Sequence, residues 1–514
     1  MIVDLLERGG DLREEADVCV IGSGAGGAVV AAVLAEAGLS VVVLEQGQHH
    51  TRADFDQREE TMLPRLFEEA GMRQTEDGSV TILQGRGIGG STVHNLCYCF
   101  RAPPPVLRLW RERHGLPELT DEALAPSFER VEHGLGVVPI REDEVNALNR
   151  LVRRGAEKLG YSGFVAKHNR RGCVQSGYCL LGCSYDAKLS MLITYVPRAD
   201  AAGARIYASV RARRIEADAR GAHRVHAEVV DPTGTALGLV RVRSRVVVLA
   251  AGAIATPILL KESGLAGESG QVGRNLHLHP AVMAAGIFEE PFAPYRGIPQ
   301  SYYIDEFIDL DRDPESGVIL MPIAGFPGLT AANLPGFGRE HFRFLRAFDR
   351  TAGLLALLHD RSAGEVEPGP SPARPRIRYR LDADDARALA EGLVHCAEVL
   401  MAAGAREVLI PYFDAPLVVR STAELAEIRR RGVRQGAIPI ASTHPQSTCR
   451  MGGDPATAVV DAFGECFHVP RLFVADMSVF PTSLGAPPQI TTAALADRTA
   501  HHILARREEL FAGS

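Results

Sequence analysis

One stretch near the start limits the folds open to this chain more than any other. Asp17-Val-Cys-Val-Ile-Gly22 reads as a fully buried strand, and Gly22-x-Gly24-x-x-Gly27 follows without a gap. An alanine-rich helix runs next from Ala28 to Ala37 and stops at Gly38. A second apolar strand, Ser40-Val-Val-Val-Leu-Glu45, ends on an acid 18 residues after Gly27. Two strands joined through a helix call for a parallel sheet. The glycines allow a tight turn and let a pyrophosphate approach the helix N-terminus along Gly22, Ser23, Gly24, Ala25, Gly26 and Gly27. Glu45, followed by Gln46, stands where a carboxylate accepts ribose hydroxyls. The pattern predicts a dinucleotide site and leaves NAD and FAD both open. Cys19, in mid-strand, is expected to be plain core.

A second glycine-rich run, Gln84-Gly-Arg-Gly-Ile-Gly-Gly-Ser-Thr-Val-His-Asn95, has no strand–helix frame of its own. Backbone this bare can pack flat against a large planar ligand, which favours a flavin. Near the other end, His444-Pro-Gln-Ser-Thr-Cys-Arg-Met-Gly452 holds a histidine in a turn-rich segment. Arg471-Leu-Phe-Val-Ala-Asp476 then reads as an apolar strand ending on a carboxylate. Residues 236–257 read as strands returning to the parallel sheet and ending in a Gly-Ala turn. Arg376-Ile-Arg-Tyr-Arg-Leu381 alternates basic and apolar residues, as in a sheet with one wet face. Residues 382–404 read as a helix, with Leu389, Leu393, Cys396 and Leu400 on one stripe, Asp382 as cap and Gly404 as stop. The Pro-, Gly- and Arg-rich stretch 361–375 reads as a loop or a mobile cover.

Bulk properties mostly exclude. A chain of 514 residues has room for two or three domains. Its net charge of -7 argues against a nucleic-acid surface and offers no polybasic membrane patch. No apolar run reaches membrane-spanning length, so no transmembrane segment is expected. The first fifteen residues lack the apolar core of a secretory signal. Nine cysteines in this length are not a disulfide framework. A cytoplasmic protein is the expectation, with export on a signal-bearing partner left open.

Taken together, these motifs resemble the glucose–methanol–choline (GMC) oxidoreductases, an FAD-dependent family. The resemblance extends through Ala250-Ala-Gly-Ala-Ile-Ala-Thr-Pro257, Val272-Gly-Arg-Asn-Leu-His-Leu-His-Pro280 and Asp476-Met-Ser-Val-Phe-Pro-Thr482. It implies an α/β fold in which an FAD-binding Rossmann-like domain is interleaved with a substrate domain on a mostly antiparallel sheet. On that pattern residues 1–110, 200–285 and 445–514 form the FAD domain. Residues 111–199 form a cap or connecting region with a Cys-rich loop, and 286–444 the substrate domain. Beyond the fingerprint, the resemblance places Arg86, Gly90, Ser91, His94, Asn95, Leu96, Val210, Ala251, Gly252, Asp476, Pro488, Gln489 and Ile490 at the cofactor.

Family members that oxidise alcohols place a histidine at the position of His444. It takes the hydroxyl proton while a hydride leaves for flavin N5, and histidine suits the task because its pKa lies near working pH. A second side chain, His or Asn, completes the pair in the family. Aligned without gaps, that position falls on Pro487, whose side chain can neither donate nor accept. Three explanations stand open here: Gln489 or His94 substitutes, the chemistry is not alcohol oxidation, or the loop is shifted by one or two residues. Desaturation, lyase or decarboxylase chemistry belongs to the second.

His94-Asn95 also has the placement of the histidine that some members bond covalently to FAD. Cys173, Cys179 and Cys183 have a C-x5-C-x3-C spacing similar to that of glucose dehydrogenase subunits carrying a 3Fe–4S cluster. Against the cluster stands a simple compact loop, or a zinc site with His168 as a fourth ligand. His277 and His279 are expected to be core and loop histidines. The reading is an FAD-dependent oxidoreductase acting on CH–OH groups of a hydrophobic or secondary-metabolite alcohol. His444 is its base and Gln489 a candidate second group. Its electrons pass to O2 or a redox partner, and an electron-transferring subunit with an Fe–S cluster is the further alternative.

Overall fold

The computed structural model describes residues 1–217, 222–371 and 374–511. Its first sheet has eight strands among the described residues. They run in the order Ile2–Asp4, Arg205–Ala208, Val41–Leu44, Leu12–Ile21, Ala236–Leu249, His223–Val230 and Val210–Ala217, with Leu472–Val474 beside Ala236–Leu249. The strands from Ile2–Asp4 to Ala236–Leu249, and Leu472–Val474, pair parallel. Only the edge formed by His223–Val230 and Val210–Ala217 is antiparallel. The predicted strand–helix–strand unit is Leu12–Ile21, helix Gly27–Glu36 and Val41–Leu44. Leu12–Ile21 explains its own burial. Its first half alternates exposed and half-buried residues, and its last four, Val18 to Ile21, are buried on both faces between parallel neighbours.

A second, nine-stranded sheet runs Leu417–Val419, Glu407–Ile410, Ala281–Ile287, Thr351–Leu358, Val318–Ile323, Tyr302–Ile304 and Gly163–Val165. Ile440–Ser442 joins it at Ala281–Ile287 and pairs parallel with Val80–Ile82. All other pairs in it are antiparallel. This is a mixed α/β architecture of one mostly parallel and one mostly antiparallel sheet. The second sheet draws on more of the chain than residues 286–444, since Val80–Ile82, Gly163–Val165 and Ala281–Ile287 belong to it. Helix Ala383–Ala402 covers it, capped by the Asp382 carboxylate accepting from Asp385 N–H, with Cys396 in its core.

Residues 111–199 serve both halves. Helix Asp121–Gly134 packs on helix Gln489–Ala505 near the first sheet, where the Arg130 guanidinium meets buried Asp497 at 2.6 Å. Helix Ala147–Leu159 packs on Ala383–Ala402 beside the second. The stretch 361–375 departs from the loop expected of it. Gly364–Ser371 and Arg374–Arg378 pair antiparallel next to Arg274–Leu276, and residues 372 and 373 lie outside the described residues. Val366 and Ile377 sit opposite each other and fully buried, one on each strand, among prolines and arginines.

Candidate active site

The parallel strands end where the chemistry-bearing motifs begin. A cavity of about 570 Å³ opens at their carboxyl ends, lined by Ile21, Leu44, Ala250 and Asp476. That is where open α/β sheets hold their ligands. Gly22, Ser23, Gly24, Ala25 and Gly26 form its floor. The glycines differ in what they do. A Cβ on Gly26 would stand 1.6 Å from the Ala475 carbonyl oxygen, and one on Gly22 2.3 Å from that of Ala250. Gly27 packs helix onto strand, its missing Cβ 2.0 Å from the Gly22 oxygen, and does not line the cavity. At Gly24 the nearest atom to a Cβ would be Gly90 Cα at 3.9 Å, so the protein itself leaves that space open.

Glu45 lines the cavity with its carboxylate already oriented. It accepts from Ser23 N–H at 3.1 Å, Ser23 Oγ–H at 2.8 Å and Gly47 N–H at 3.0 Å. Burial raises its pKa and these donors oppose that rise. Gln46, Gly90, Ser91, Asn95, Leu96, Val210, Ala251, Gly252, Pro488 and Gln489 line the same cavity. Besides Gly27, two expected contacts lie elsewhere. The Arg86 guanidinium turns outward to the carbonyls of Asp231 and Pro232, and Ile490 is buried in the core behind the cavity. Asp476 reaches the wall but spends its oxygens on protein, accepting from Gly252 N–H, Thr256 Oγ–H and Ser478 N–H at 2.8, 2.6 and 2.8 Å.

The His94 ring forms part of the wall, 4.0 Å from the Phe67 ring centroid. Its Nε2 is buried without a partner against Gly85, whose missing Cβ would come within 2.7 Å. Burial, aided by the Lys188 ammonium, pulls its pKa down to about 3.

His444 also lines the cavity. Its neighbours follow from strand register. His277 and Gln446 exchange backbone hydrogen bonds as an antiparallel bridge. Two residues further along each chain, His279 falls opposite His444, with Nδ1 to Nδ1 3.4 Å apart and the rings edge-on at 89°. His279 therefore is not the plain loop histidine expected. Its backbone has φ of +46°, an unusual conformation for a bulky residue. Asp360 holds it there, accepting from Leu278 N–H at 2.9 Å and His279 N–H at 3.1 Å, with Tyr379 and Ser483 hydroxyls at 2.7 Å each. Burial opposes ionisation of Asp360, but the His277 ring and the backbone donors outweigh it and hold the carboxyl well below its usual range.

The ring protons can be placed from these contacts. Gly485 N–H donates to His279 Nε2 at 3.0 Å, so neutral His279 carries its proton on Nδ1, facing His444. His444 then accepts at Nδ1 and carries its own proton on Nε2. Burial pulls the His444 pKa down to about 4, so the ring is neutral near pH 7.

Pro487 lines the cavity, and the Pro487-Pro488 pair supplies no N–H donor. Helix Gln489–Ala505 begins just behind it, so the unsatisfied N–H groups and positive dipole end of its first turn lie at the wall. The Gln489 amide is committed to Asn95 and to Asn169 Oδ1. The group that touches His444 is thus His279, not Gln489. A sequence reader could have found it in the Asn-Leu-His-Leu-His-Pro run, where both histidines share one face of an extended segment.

The cysteine loop departs from the metal centre implied for it. Cys173, Cys179 and Cys183, with Cys97, border a small cavity of about 30 Å³. Among the described residues no group of three or more His, Cys, Asp or Glu side chains is arranged to hold a metal. All four thiols are free. The neighbouring Cys97 thiol is the main influence drawing the Cys179 pKa below its ordinary value, with the Lys188 ammonium adding to it. His168 is buried at the same cavity with Nε2 unpartnered.

The geometry meets known proteins along the whole chain. Residues 63–281 match the GMC oxidoreductase N-terminal model, 360–496 the GMC oxidoreductase C-terminal model, and 20–61 an NAD(P)-binding Rossmann-like domain. An uncharacterised GMC-type oxidoreductase of Mycobacterium tuberculosis (strain H37Rv) is 35% identical over 495 residues, 96% of this chain and 76% of its own. The long-chain-alcohol oxidase FAO4A of Arabidopsis thaliana is 31% identical over 506 residues, 94% of this chain and 68% of its own. Among solved structures, pyridoxine 4-oxidase from Mesorbium loti superposes with a TM-score of 0.68 at 21% identity, over 95% of this chain and 99% of its own. A formate oxidase variant of Aspergillus oryzae RIB40, studied for FAD modification, does so with a TM-score of 0.70 at 17% identity, over 98% of this chain and all of its own. With both family models matched in order and a relative sharing a third of its residues over nearly the full length, the chain belongs to the GMC oxidoreductases.

Proposed function

We propose that this protein binds FAD across the Gly22–Gly26 floor and oxidises a hydrophobic alcohol, with His444 handling the hydroxyl proton. The residues present fit the cofactor. Gly24 leaves open the space a pyrophosphate needs, Glu45 is poised for ribose hydroxyls, and the first turn of helix Gln489–Ala505 favours negative charge. Bound there, FAD supplies the two-electron acceptor for a hydride leaving a carbinol carbon.

What supports an alcohol of apolar character is the continuity of one cavity from the glycine floor, past His444, to one face of the second sheet. Residues in register make that face. Met283 pairs with Leu355, which pairs with Met321, and Ala285 pairs with Gly353, which pairs with Ile323. All six line the cavity, and the Ala285–Gly353 row makes room between bulkier ones. The similarity to a long-chain-alcohol oxidase supports the same substrate class.

His444 is the ring at the junction of the two regions. To accept a hydroxyl proton at Nε2 it must move its own proton to Nδ1, against the Nδ1–H of His279. The 3.4 Å contact is a long, weak hydrogen bond, so giving it up costs on the order of 1 kcal/mol. His279 is thereby the residue that sets the resting tautomer.

The test is optical. The purified protein should be yellow, and acid precipitation should leave its flavin in solution, because His94 Nε2 is buried. Under anaerobic conditions long-chain primary alcohols should bleach the flavin, with short ones needing far higher concentration. A colourless protein, or no bleaching with a broad alcohol panel, would remove this reading. The pH dependence carries its own expectation. Protonated His444 cannot accept at Nε2, so acid abolishes the reaction. With the ring held down to about 4 by burial, the bleaching rate should stay level from pH 8 to about 5 and fall only through about 4, not near 6.5.

A further inference from the structure

Two short helices, Pro327–Asn333 and Arg339–Leu345, cover part of the cavity. Leu329, Leu334 and Phe344 line it from this cover, and so does Asn333, whose own side is exposed. The second helix has two distinct faces. Phe344 is buried toward the cavity. Arg339, Phe342, Arg343 and Arg346 recur at the i, i+3, i+4, i+7 spacing of a single helical stripe, and all four are exposed. Phe342 is 60% exposed. Just before it, Phe337 stands 95% exposed between Gly336 and Gly338, both with positive φ. Arg343 pairs with Glu407 at 2.8 Å, while Arg339 and Arg346 carry their charge outward.

Two bare phenylalanines stand among three arginines and one exposed acid, Glu340, a locally basic, aromatic knob on a chain whose net charge is -7. These arginines are interleaved with apolar and acidic residues in the sequence and share one face only once Arg339–Leu345 is helical. Apolar tips flanked by arginines match the boundary of a lipid layer, with rings among the acyl chains and guanidinium groups at the phosphates. The knob also stands on the outer side of a cover whose inner side, through Leu334 and Phe344, lines an apolar cavity. No helix among the described residues is long and apolar enough to cross a membrane, so any such contact is made from one side.

We infer that the Phe337–Arg346 cover docks on an anionic lipid surface and sets the covered side of the cavity against it, so that an apolar substrate enters from the lipid. The route of entry rests on the alcohol reading above; the docking does not. Sedimentation with vesicles tests it on the whole chain. Vesicles of phosphatidylcholine with about one third phosphatidylglycerol should carry the protein down at low salt, and pure phosphatidylcholine should carry at least tenfold less. Raising salt to about 0.5 M should release most of it, because the attraction is screened. Phe337→Ser with Phe342→Ser, and separately Arg339→Glu with Arg346→Glu, should each cut binding at least tenfold. Both double variants should leave bleaching by a water-soluble short alcohol unchanged. Wild-type protein that stays in the supernatant, or variants that sediment as wild type does, would overturn the proposal. So would a wild-type dimer that both double variants convert to monomer, since the face would then be covered by a second copy. If the vesicles bind and no alcohol bleaches the flavin, the docking stands and the alcohol reading falls.

Discussion

His444→Ala should lower the rate of anaerobic flavin bleaching by about 10²- to 10⁴-fold at saturating alcohol, the usual contribution of a positioned proton-transfer group. That corresponds to roughly 3–5 kcal/mol of barrier. The substitution should leave cofactor content close to wild type, because the Gly22–Gly26 floor and Glu45 are held by other contacts. It should also leave the fold intact. His444 gives His279 only a 3.4 Å partner, while His279 stays pinned by Gly485 N–H and by Asp360 through its own backbone. Stopped-flow bleaching, with flavin content measured on the same sample, checks both parts. An unchanged bleaching rate would remove His444 from the chemistry. A flavin-free protein would mean that the ring supports the cofactor instead.

Gly26→Ala should fail to give folded protein, or lose at least about 3 kcal/mol of stability, the upper range for forcing extra atoms into packed structure. The clash is with backbone, not with a side chain that can swing away. The added carbon would sit 1.6 Å from the Ala475 oxygen and 2.8 Å from its carbonyl carbon. Relief requires moving strand Leu472–Val474 away from helix Gly27–Glu36, and Asp476 with it. Gly24→Ala makes the contrast. Nothing in the protein lies within 3.9 Å of its Cβ, so thermal unfolding should stay within a few degrees of wild type. The new methyl would nonetheless project into the cavity floor and should weaken retention of FAD. Melting curves and flavin content of the two variants separate a glycine kept for packing from one kept for the ligand. A Gly24→Ala protein that keeps full flavin would count against the pyrophosphate placement.

Much of this was legible in the residues because it is local. Gly22 to Glu45 encodes a turn, a helix start and two fully buried strands within thirty-odd positions, so pattern and fold coincide there. Helix Ala383–Ala402 followed from its apolar stripe and its Asp382 cap, and the carboxyl ends of the parallel strands located the site. Arg86 was misjudged for a related reason: the glycine-rich run placed its backbone, but the direction of its side chain depends on the carbonyls of Asp231 and Pro232, about 145 residues away. The stretch 361–375 reads as a loop because its prolines and glycines carry no period, and Val366 is buried only by pairing with Ile377 on the neighbouring strand.

By itself, then, the sequence determined a parallel sheet with a glycine-rich turn at the end of one strand, the family, and His444 as a candidate. These rest on backbone conformations that short runs of residues fix on their own. Only the tertiary structure decided what His444 touches. The antiparallel bridge between His277 and Gln446 joins segments with nothing local to pair them, and its register alone brings His279 to His444 across 165 positions. The same holds for the cysteine loop, whose spacing suited a metal while, among the described residues, its folded side chains are not arranged to hold one. A local pattern states which conformations a segment favours. Which side chains meet is set by long-range packing, where each pairing depends on all the others.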